Sequence, residues 1–210
     1  MELYILTDPR FYYYAFSWVF FAIASSSCLI YLVPYGQSIG LDEMKASSLI
    51  SALMCGEMVS RCIYGVFMDR TTKTQRFTIC ASVTLCTSLI FLVLPHLRSY
   101  YALMGGCVVL GMSSGGLDGL YSIFIVDLFG LKLYTAAFGY SNIPIHGLGM
   151  LSTIMIGKFV DVTGDLTLVF YVGSASAFLS VCVCLKMLQS VRSASQAEEE
   201  NKISDDHSLL

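Results

Sequence analysis

The chain has 210 residues, of which 56% are hydrophobic and only 13% charged, and its formal net charge at pH 7 is −3. A soluble domain carries about 25% charged residues, so this composition excludes a water-soluble enzyme and a disordered chain. Nucleic-acid binding is excluded as well, because the sequence has no basic patch. The mean hydropathy of +0.70 instead predicts an integral membrane protein.

Six apolar segments are long enough to cross the hydrocarbon core of a bilayer, which is about 30 Å thick. Lipid offers no partner to backbone polar groups, and continuous apolar runs lack the alternation of barrel strands, so each segment is predicted to be an α-helix. The predicted spans are Phe11–Val33, Ala46–Met68, Phe77–Leu97, Ser99–Val126, Leu133–Gly157 and Leu166–Leu185. The predicted fold class is therefore all-α, a polytopic membrane protein with six transmembrane helices.

Charge divides the chain into three predicted regions. Residues 1–10 form a cytoplasmic N-terminal segment, residues 11–189 the six-helix transmembrane domain, and residues 190–210 an acidic cytoplasmic tail. We expect the tail to be disordered because it cannot bury apolar surface. If the N-terminus is cytoplasmic, eight of the twelve basic residues lie on that side, so the positive-inside rule places both termini there.

The eight cysteines lie within apolar runs, where they behave as small hydrophobic residues. The sequence has no CxxC pair and no Cys/His spacing typical of zinc sites, so it predicts no disulfide framework, no metal site and no cofactor. No HExxH motif is present, and we expect the protein not to be an enzyme.

Two ionisable residues lie near the middle of the second span, where a charge costs about 2.5–3.5 kcal/mol on insertion scales. Glu57 and Arg61 are four positions apart, so they share one helix face and can neutralise each other. The pair either moderates its own insertion cost or binds an anion that travels with a proton. We favour the second interpretation, because an aliphatic pair would avoid the cost and a guanidinium offers a carboxylate two parallel hydrogen bonds.

A third charge, Asp118, lies in the fourth span within the small-residue segment 111–119. Glycines there permit close helix approach or local unwinding around a cavity. Asp118 is therefore either a second cavity group or a carboxylic acid kept protonated by packing. His146 lies near Pro144 in the fifth span, and we favour a packed histidine hydrogen-bonded across helices.

Four short segments carry a resemblance to known proteins; three lie at the ends of spans, and residues 56–61 lie within the second span. Residues 65–73 read GVFMDRTTK, which resembles the GxxxDRxxK cytoplasmic-loop signature of the major facilitator superfamily, on Gly65, Asp69, Arg70 and Lys73. Residues 56–61 are similar to the acidic-x-x-x-Arg element in the eighth helix of monocarboxylate transporters. The segment 157–165, with Gly157, Asp161 and Gly164, looks like the connection between that family's last two helices, and the sequence DLFG at 127–130 also fits.

The order of these motifs matches helices seven to twelve, so the resemblance implies the C-terminal half of a major-facilitator fold. It implies a proton- or gradient-linked carrier of a monocarboxylate or related small organic solute, in which Arg61 binds the substrate carboxylate and Glu57 is the proton-handling partner. The implied partners are the lipid bilayer, an N-terminal six-helix half or a second copy, and a single-pass immunoglobulin-like ancillary glycoprotein. The implied location is the plasma membrane.

Two alternatives remain open at this level. The chain is either a carrier half or a non-transporting membrane protein that associates with a carrier. The tail ends with Asp205, Leu209 and Leu210 in an acidic dileucine spacing, which is read either as a sorting signal or as a solvated tail.

Overall fold

The computed structural model describes residues 5 and 7–208, with side chains as far as Arg192. Six long helices follow one another, and the helices are α1 (Pro9–Ser38), α2 (Glu43–Met68), α3 (Lys73–Val93), α4 (Tyr100–Phe129), α5 (Tyr134–Thr163) and α6 (Thr167–Ser208). Each helix contains a segment long and apolar enough to cross a membrane. The predicted all-α fold with six spans is therefore confirmed.

Local side-chain chemistry sets several helix ends. The carboxylate of Asp8 accepts from the backbone N–H of Arg10 at 2.9 Å, which caps the N-terminus of α1. Thr72 and Gln75 form a capping box at the start of α3. Gly164 ends α5 in the left-handed conformation, with φ of 69°, which a glycine adopts without steric cost.

Asp165 organises the first turn of α6. Its Oδ1 atom accepts from the backbone N–H of Thr167 at 2.9 Å and from the hydroxyl of the same residue at 2.7 Å. These hydrogen bonds favour the ionised carboxyl group and hold the pKa of Asp165 below its usual value.

The last two helices extend beyond their predicted ends. α5 continues to Thr163, so Gly157 and Asp161 lie in its final turns and only Gly164 lies in the connecting loop. The backbone of α6 is helical as far as Ser208, whereas the sequence analysis expects disorder from residue 190. A helix that is already nucleated extends at low cost, and the Ala, Gln, Glu and Lys residues in this segment have high helix propensity.

Two helices are much less buried than the others. α2 and α5 both pack against α1 and α4, while α3 and α6 pack against each other on the remaining side. Only 28% of the α2 span and 17% of the α5 span are buried. Both therefore present apolar surface to lipid or to another membrane-embedded partner.

Reciprocal serine pairs hold α6 against its neighbours. The hydroxyl of Ser180 donates to the carbonyl of Ser17 on α1 at 2.8 Å, and the hydroxyl of Ser17 lies 3.3 Å from the carbonyl of Ser180. Ser88 on α3 and Ser174 exchange hydroxyl-to-carbonyl hydrogen bonds of 2.9 Å in both directions. Such bonds join helices where lipid supplies no hydrophobic driving force.

Candidate functional site

Glycine residues lie at the contact between helices α2 and α4. A Cβ atom at Gly111 would overlap the backbone carbonyl of Leu53, and one at Gly115 would overlap the Cα atom of Glu57. The helix is continuous through this segment, so the glycines allow close approach and not unwinding. This contact brings polar side chains of the two helices within hydrogen-bond distance.

Arg61 lies between two carboxylates. Its Nη2 atom is 3.1 Å from Oδ2 of Asp118 on α4 and 3.4 Å from Oε2 of Glu57 on its own helix. The hydroxyl of Ser114 lies 3.2 Å from the other carboxylate oxygen of Glu57. We call these four residues the Arg61 cluster, and the structure thus brings together all three predicted substrate-binding residues.

Members of the Arg61 cluster differ in exposure. The side chains of Arg61 and Asp118 are 52% and 48% exposed, whereas that of Glu57 is 13% exposed. Asp118 is half-exposed within the described chain and ion-paired with Arg61. The guanidinium is open to a ligand on one side. Among the described residues, no group of three or more His, Cys, Asp and Glu side chains is arranged to hold a metal ion.

A cleft of about 430 Å³ lies between α1, α4 and α5, and we call it the α1–α4–α5 cleft. Asp118 lines it and is the residue that the cleft shares with the Arg61 cluster. The other polar residues that line it are Ser25, Ser26, Asn142 and His146. Its aromatic lining consists of Trp18, Phe21, Tyr121 and Phe138.

The environment of His146 differs from the one expected from the sequence. Its side chain is exposed in the cleft, and Nε2 lies 3.0 Å from Oδ1 of Asn142 on the same helix, not on a neighbouring one. Asn142 in turn donates from Nδ2 to the carbonyl of Phe138 at 2.8 Å. Neither His146 nor Asn142 is assigned to the site from sequence, although their spacing of four positions indicates a shared helix face. Ser114 was missed as well, although it precedes Asp118 by the same spacing.

A second charged cluster lies where the α2–α3 connection meets the end of α4. Nη1 of Arg76 donates to both carboxylate oxygens of Asp127, at 3.0 and 2.9 Å, and Nζ of Lys73 donates to the backbone carbonyl of Asp127 at 3.3 Å. Of the predicted loop residues, Lys73 therefore reaches this cluster. Asp69 and Arg70 are exposed and make no side-chain hydrogen bond within the described part of the chain, and Gly65 has open space around its Cα atom.

The remaining predicted motif residues lie apart from the Arg61 cluster. Gly157 faces Tyr31 of α1, whose hydroxyl would be 2.5 Å from an added Cβ atom, and Asp161 is exposed on α5. The side chain of Asp205 and both terminal leucines, Leu209 and Leu210, lie outside the described residues.

Ionisable residues inside a membrane-spanning bundle commonly mark a substrate or ion pathway. Residues 2–152 match the family model of the Major Facilitator Superfamily, and the chain belongs to that superfamily.

Individual relatives show which transporters of the superfamily this chain resembles. The chain is 29% identical over 200 residues to monocarboxylate transporter 12 of Xenopus laevis, and the aligned region covers 93% of this chain and 43% of the relative. It is 27% identical over 205 residues to monocarboxylate transporter 12-B of Danio rerio, with coverages of 97% and 43%. The chain is 26% identical over 138 residues to monocarboxylate transporter 2 of Homo sapiens, and the aligned region covers 65% of this chain and 29% of that relative. The resemblance to monocarboxylate transporters is confirmed, and the chain spans less than half the length of these relatives.

Proposed function

We propose that the chain forms one six-helix wall of a secondary carrier for a monocarboxylate or a related small organic anion. The observation that carries this proposal is the half-exposed guanidinium of Arg61, held between Glu57 and Asp118 in a membrane-spanning bundle. A planar guanidinium forms two parallel hydrogen bonds with a carboxylate, so Arg61 is the group that binds the substrate.

Proton coupling follows from the charge balance of the Arg61 cluster. Both carboxylates contact the same Nη2 atom of Arg61, so a substrate anion that forms its two-point contact through Nη2 displaces at least one of them. A carboxylate that loses its counter-ion within the bilayer is costly, and a proton offsets that cost. Glu57 is the less exposed of the two, and we assign it the proton.

A complete substrate site needs a second wall. In carriers of this architecture the substrate binds near the bilayer midplane between two repeats, and access alternates as one rocks against the other. α2 and α5 are largely unburied and suit contact with a second bundle. An N-terminal six-helix half fits better than a second copy, because a copy would place two Arg61 side chains across one cavity.

The cluster of Lys73, Arg76 and Asp127 suits a cytoplasmic gate, with Gly65, Asp69 and Arg70 available to dock against the second wall. Both termini are then cytoplasmic, as the distribution of basic residues favours. We place the carrier in the plasma membrane, with an immunoglobulin-like single-pass glycoprotein as an ancillary partner. The alternative, a membrane protein that does not transport, is not favoured by the similarity to monocarboxylate transporters.

The test is uptake of a radiolabelled lactate-type acid into proteoliposomes. One preparation contains the chain alone, and the other contains the chain with the N-terminal six helices of the Xenopus laevis relative. We expect saturable, Arg61-dependent uptake in the second preparation only. Saturable uptake by the chain alone would contradict the need for a second half. No uptake in either preparation would contradict the carrier function.

A further inference from the structure

A groove with a volume of about 560 Å³ lies between α2 and α3, with α4 as its floor. α2 lines it from Ser60 to Phe67 and α3 from Ile79 to Ile90, and no member of the Arg61 cluster lines it. We call it the α2–α3 groove. We propose that it binds one acyl chain of an anionic phospholipid, whose headgroup contacts Arg70 and Lys73.

The lining of the α2–α3 groove is almost entirely apolar. Ser60, Ser82 and Ser113 line it, but each hydroxyl donates to a backbone carbonyl three or four positions earlier in its own helix, at 2.8–2.9 Å. These serines therefore have no hydroxyl hydrogen left for a ligand. The lining suits a hydrocarbon chain, which offers no polar partner.

The length of the groove matches one leaflet of a bilayer. Ile79 and Ile90 are eleven positions apart on α3, which corresponds to about 16 Å along the helix axis. Half of a hydrocarbon core about 30 Å thick is about 15 Å. An acyl chain spans one leaflet, whereas a transmembrane helix of another protein spans both, so the length favours a lipid chain.

Basic side chains lie where the groove approaches the end of the bundle. The backbone N–H of Arg70 donates to the carbonyl of Phe67 at 3.3 Å, so Arg70 lies one turn beyond the groove. Lys73 begins α3, six positions and about 9 Å before Ile79. The headgroup region is about 5–8 Å thick on each side of the bilayer, so both exposed side chains lie at the depth of lipid phosphates.

The charges at this end favour an anionic headgroup. Residues 69–76 and Asp127 together carry three basic and two acidic side chains. Arg76 is paired with both carboxylate oxygens of Asp127, and Asp69 offsets one of the other two positive charges. Lys73 donates one of its three ammonium hydrogens to the carbonyl of Asp127, which leaves two for a phosphate. In the orientation given under the proposed function, on which the inference rests in this respect alone, this end faces the cytoplasmic leaflet, where anionic lipids are found.

The first experiment measures the affinity of the purified chain in detergent micelles for dioleoyl phosphatidylserine and dioleoyl phosphatidylcholine, by native mass spectrometry. The two lipids have the same acyl chains. One basic residue near a membrane surface corresponds to a factor of about five, so phosphatidylserine should bind about 5- to 25-fold more tightly. Arg70→Ala together with Lys73→Ala should remove this preference. Lys132→Ala, in the connection that follows the same end of α4, should retain it.

The second experiment uses Cys86 to report occupancy of the groove itself. Cys86 is exposed and lines the groove, whereas Cys182 on α6 is exposed outside it. Phosphatidylserine should slow alkylation of Cys86 by N-ethylmaleimide and leave that of Cys182 unchanged, as measured by peptide mass spectrometry. Val109→Trp should fill the groove and abolish lipid binding. Val93→Trp places the same side chain outside the groove, at a residue with 51% exposure against 53% for Val109, and should retain binding.

Equal affinity for the two phospholipids, or a preference for phosphatidylserine that survives Arg70→Ala with Lys73→Ala, would overturn the proposal. Equal alkylation of Cys86 with and without phosphatidylserine would overturn it as well. If cholesterol or the N-terminal half of the relative protects Cys86 and phosphatidylserine does not, the groove belongs to that occupant and the proposal is wrong. These measurements do not involve transport, so their failure would leave the carrier function intact, and absence of uptake would leave the lipid site intact.

Discussion

Nη2 of Arg61 on α2 lies 3.1 Å from Oδ2 of Asp118 on α4, although the two residues are 57 positions apart in the chain. This contact between helices is shorter than the 3.4 Å contact of Arg61 with Glu57 on its own helix. Arg61 is therefore held at the junction of two helices, and a change of its partner changes how those helices interact.

Replacing Arg61 with lysine should impair binding of carboxylates even though the charge is kept. A lysine ammonium is a point charge and cannot form the planar two-point contact, so we expect the apparent affinity for a lactate-type acid to fall roughly tenfold or more. Concentration-dependent uptake in proteoliposomes measures this. Arg98→Lys in the α3–α4 connection is the control, and equal affinities in the two variants would contradict the role of Arg61.

Replacing Glu57 with glutamine should reduce the dependence of uptake on pH. Glutamine keeps the shape and one acceptor but does not titrate, so a proton can no longer accompany the substrate at this position. Uptake is compared across about pH 5.5 to 8, where proton-linked steps in proteins commonly titrate. Glu43→Gln, in the exposed first turn of the same helix, should retain the original profile. If Glu57→Gln leaves the pH dependence of uptake unaltered, another group carries the proton, and Asp118 is the next residue to test.

Replacing Gly115 with alanine should destabilise the bundle. The added methyl group would overlap the Cα and carbonyl oxygen of Glu57, and overpacking of this kind typically costs about 1–3 kcal/mol. Gly119→Ala is a matched control on the same helix, since nothing lies within 4 Å of the added atom. Its gain in helix propensity, about 0.5–1 kcal/mol, should raise the melting temperature. Equal melting temperatures of the two variants in detergent micelles would show that the close contact of α2 and α4 is not needed for stability.

Removing either partner of the Arg76–Asp127 pair should destabilise the protein. Both side chains are largely buried, and Arg76 donates to both carboxylate oxygens. Hydrogen bonds to charged groups contribute about 1.5–3 kcal/mol, so Arg76→Ala and Asp127→Asn should each lower the free energy of unfolding by about that amount. The double variant should lose less than the sum of the two. Lys132→Ala is an exposed control, and additive losses would show that the pair is not coupled.

The terminal leucines should affect location and not transport. If sorting proteins bind the acidic dileucine, Leu209→Ala together with Leu210→Ala should raise the fraction of the protein at the cell surface. Surface biotinylation of cells measures this fraction, and Ile203→Ala provides a control at another apolar position of the tail. An unchanged fraction would favour a solvated tail without a sorting role.

The number and order of the helices could be predicted from sequence because each apolar run is long enough to span a bilayer. The residues at which the helices end could not be predicted from sequence. Lys158 and Asp161 suggest a loop after Gly157, yet α5 continues to Thr163 because a transmembrane helix can extend into the interface.

The site could be predicted only where its geometry is local. Glu57 and Arg61 are four positions apart on one helix, so their contact follows from helical periodicity. The contact of Arg61 with Asp118 depends on which helices pack together and at what height, and spacing along the chain does not contain that information. The intrahelical bond of His146 to Asn142 could have been derived, but a histidine inside a span suggested a partner on another helix.

The serine pairs fix the axial position of α6. Ser174 and Ser180 are six positions apart, which places them about 120° apart around the helix, so one pairs with α3 and the other with α1. Inserting or deleting one residue between them would rotate one serine by about 100° away from its partner. This stretch of α6 should therefore tolerate substitutions on its outward face far better than changes in length. Helices α1, α3 and α6 therefore pack together in one axial register, which the two serine pairs set.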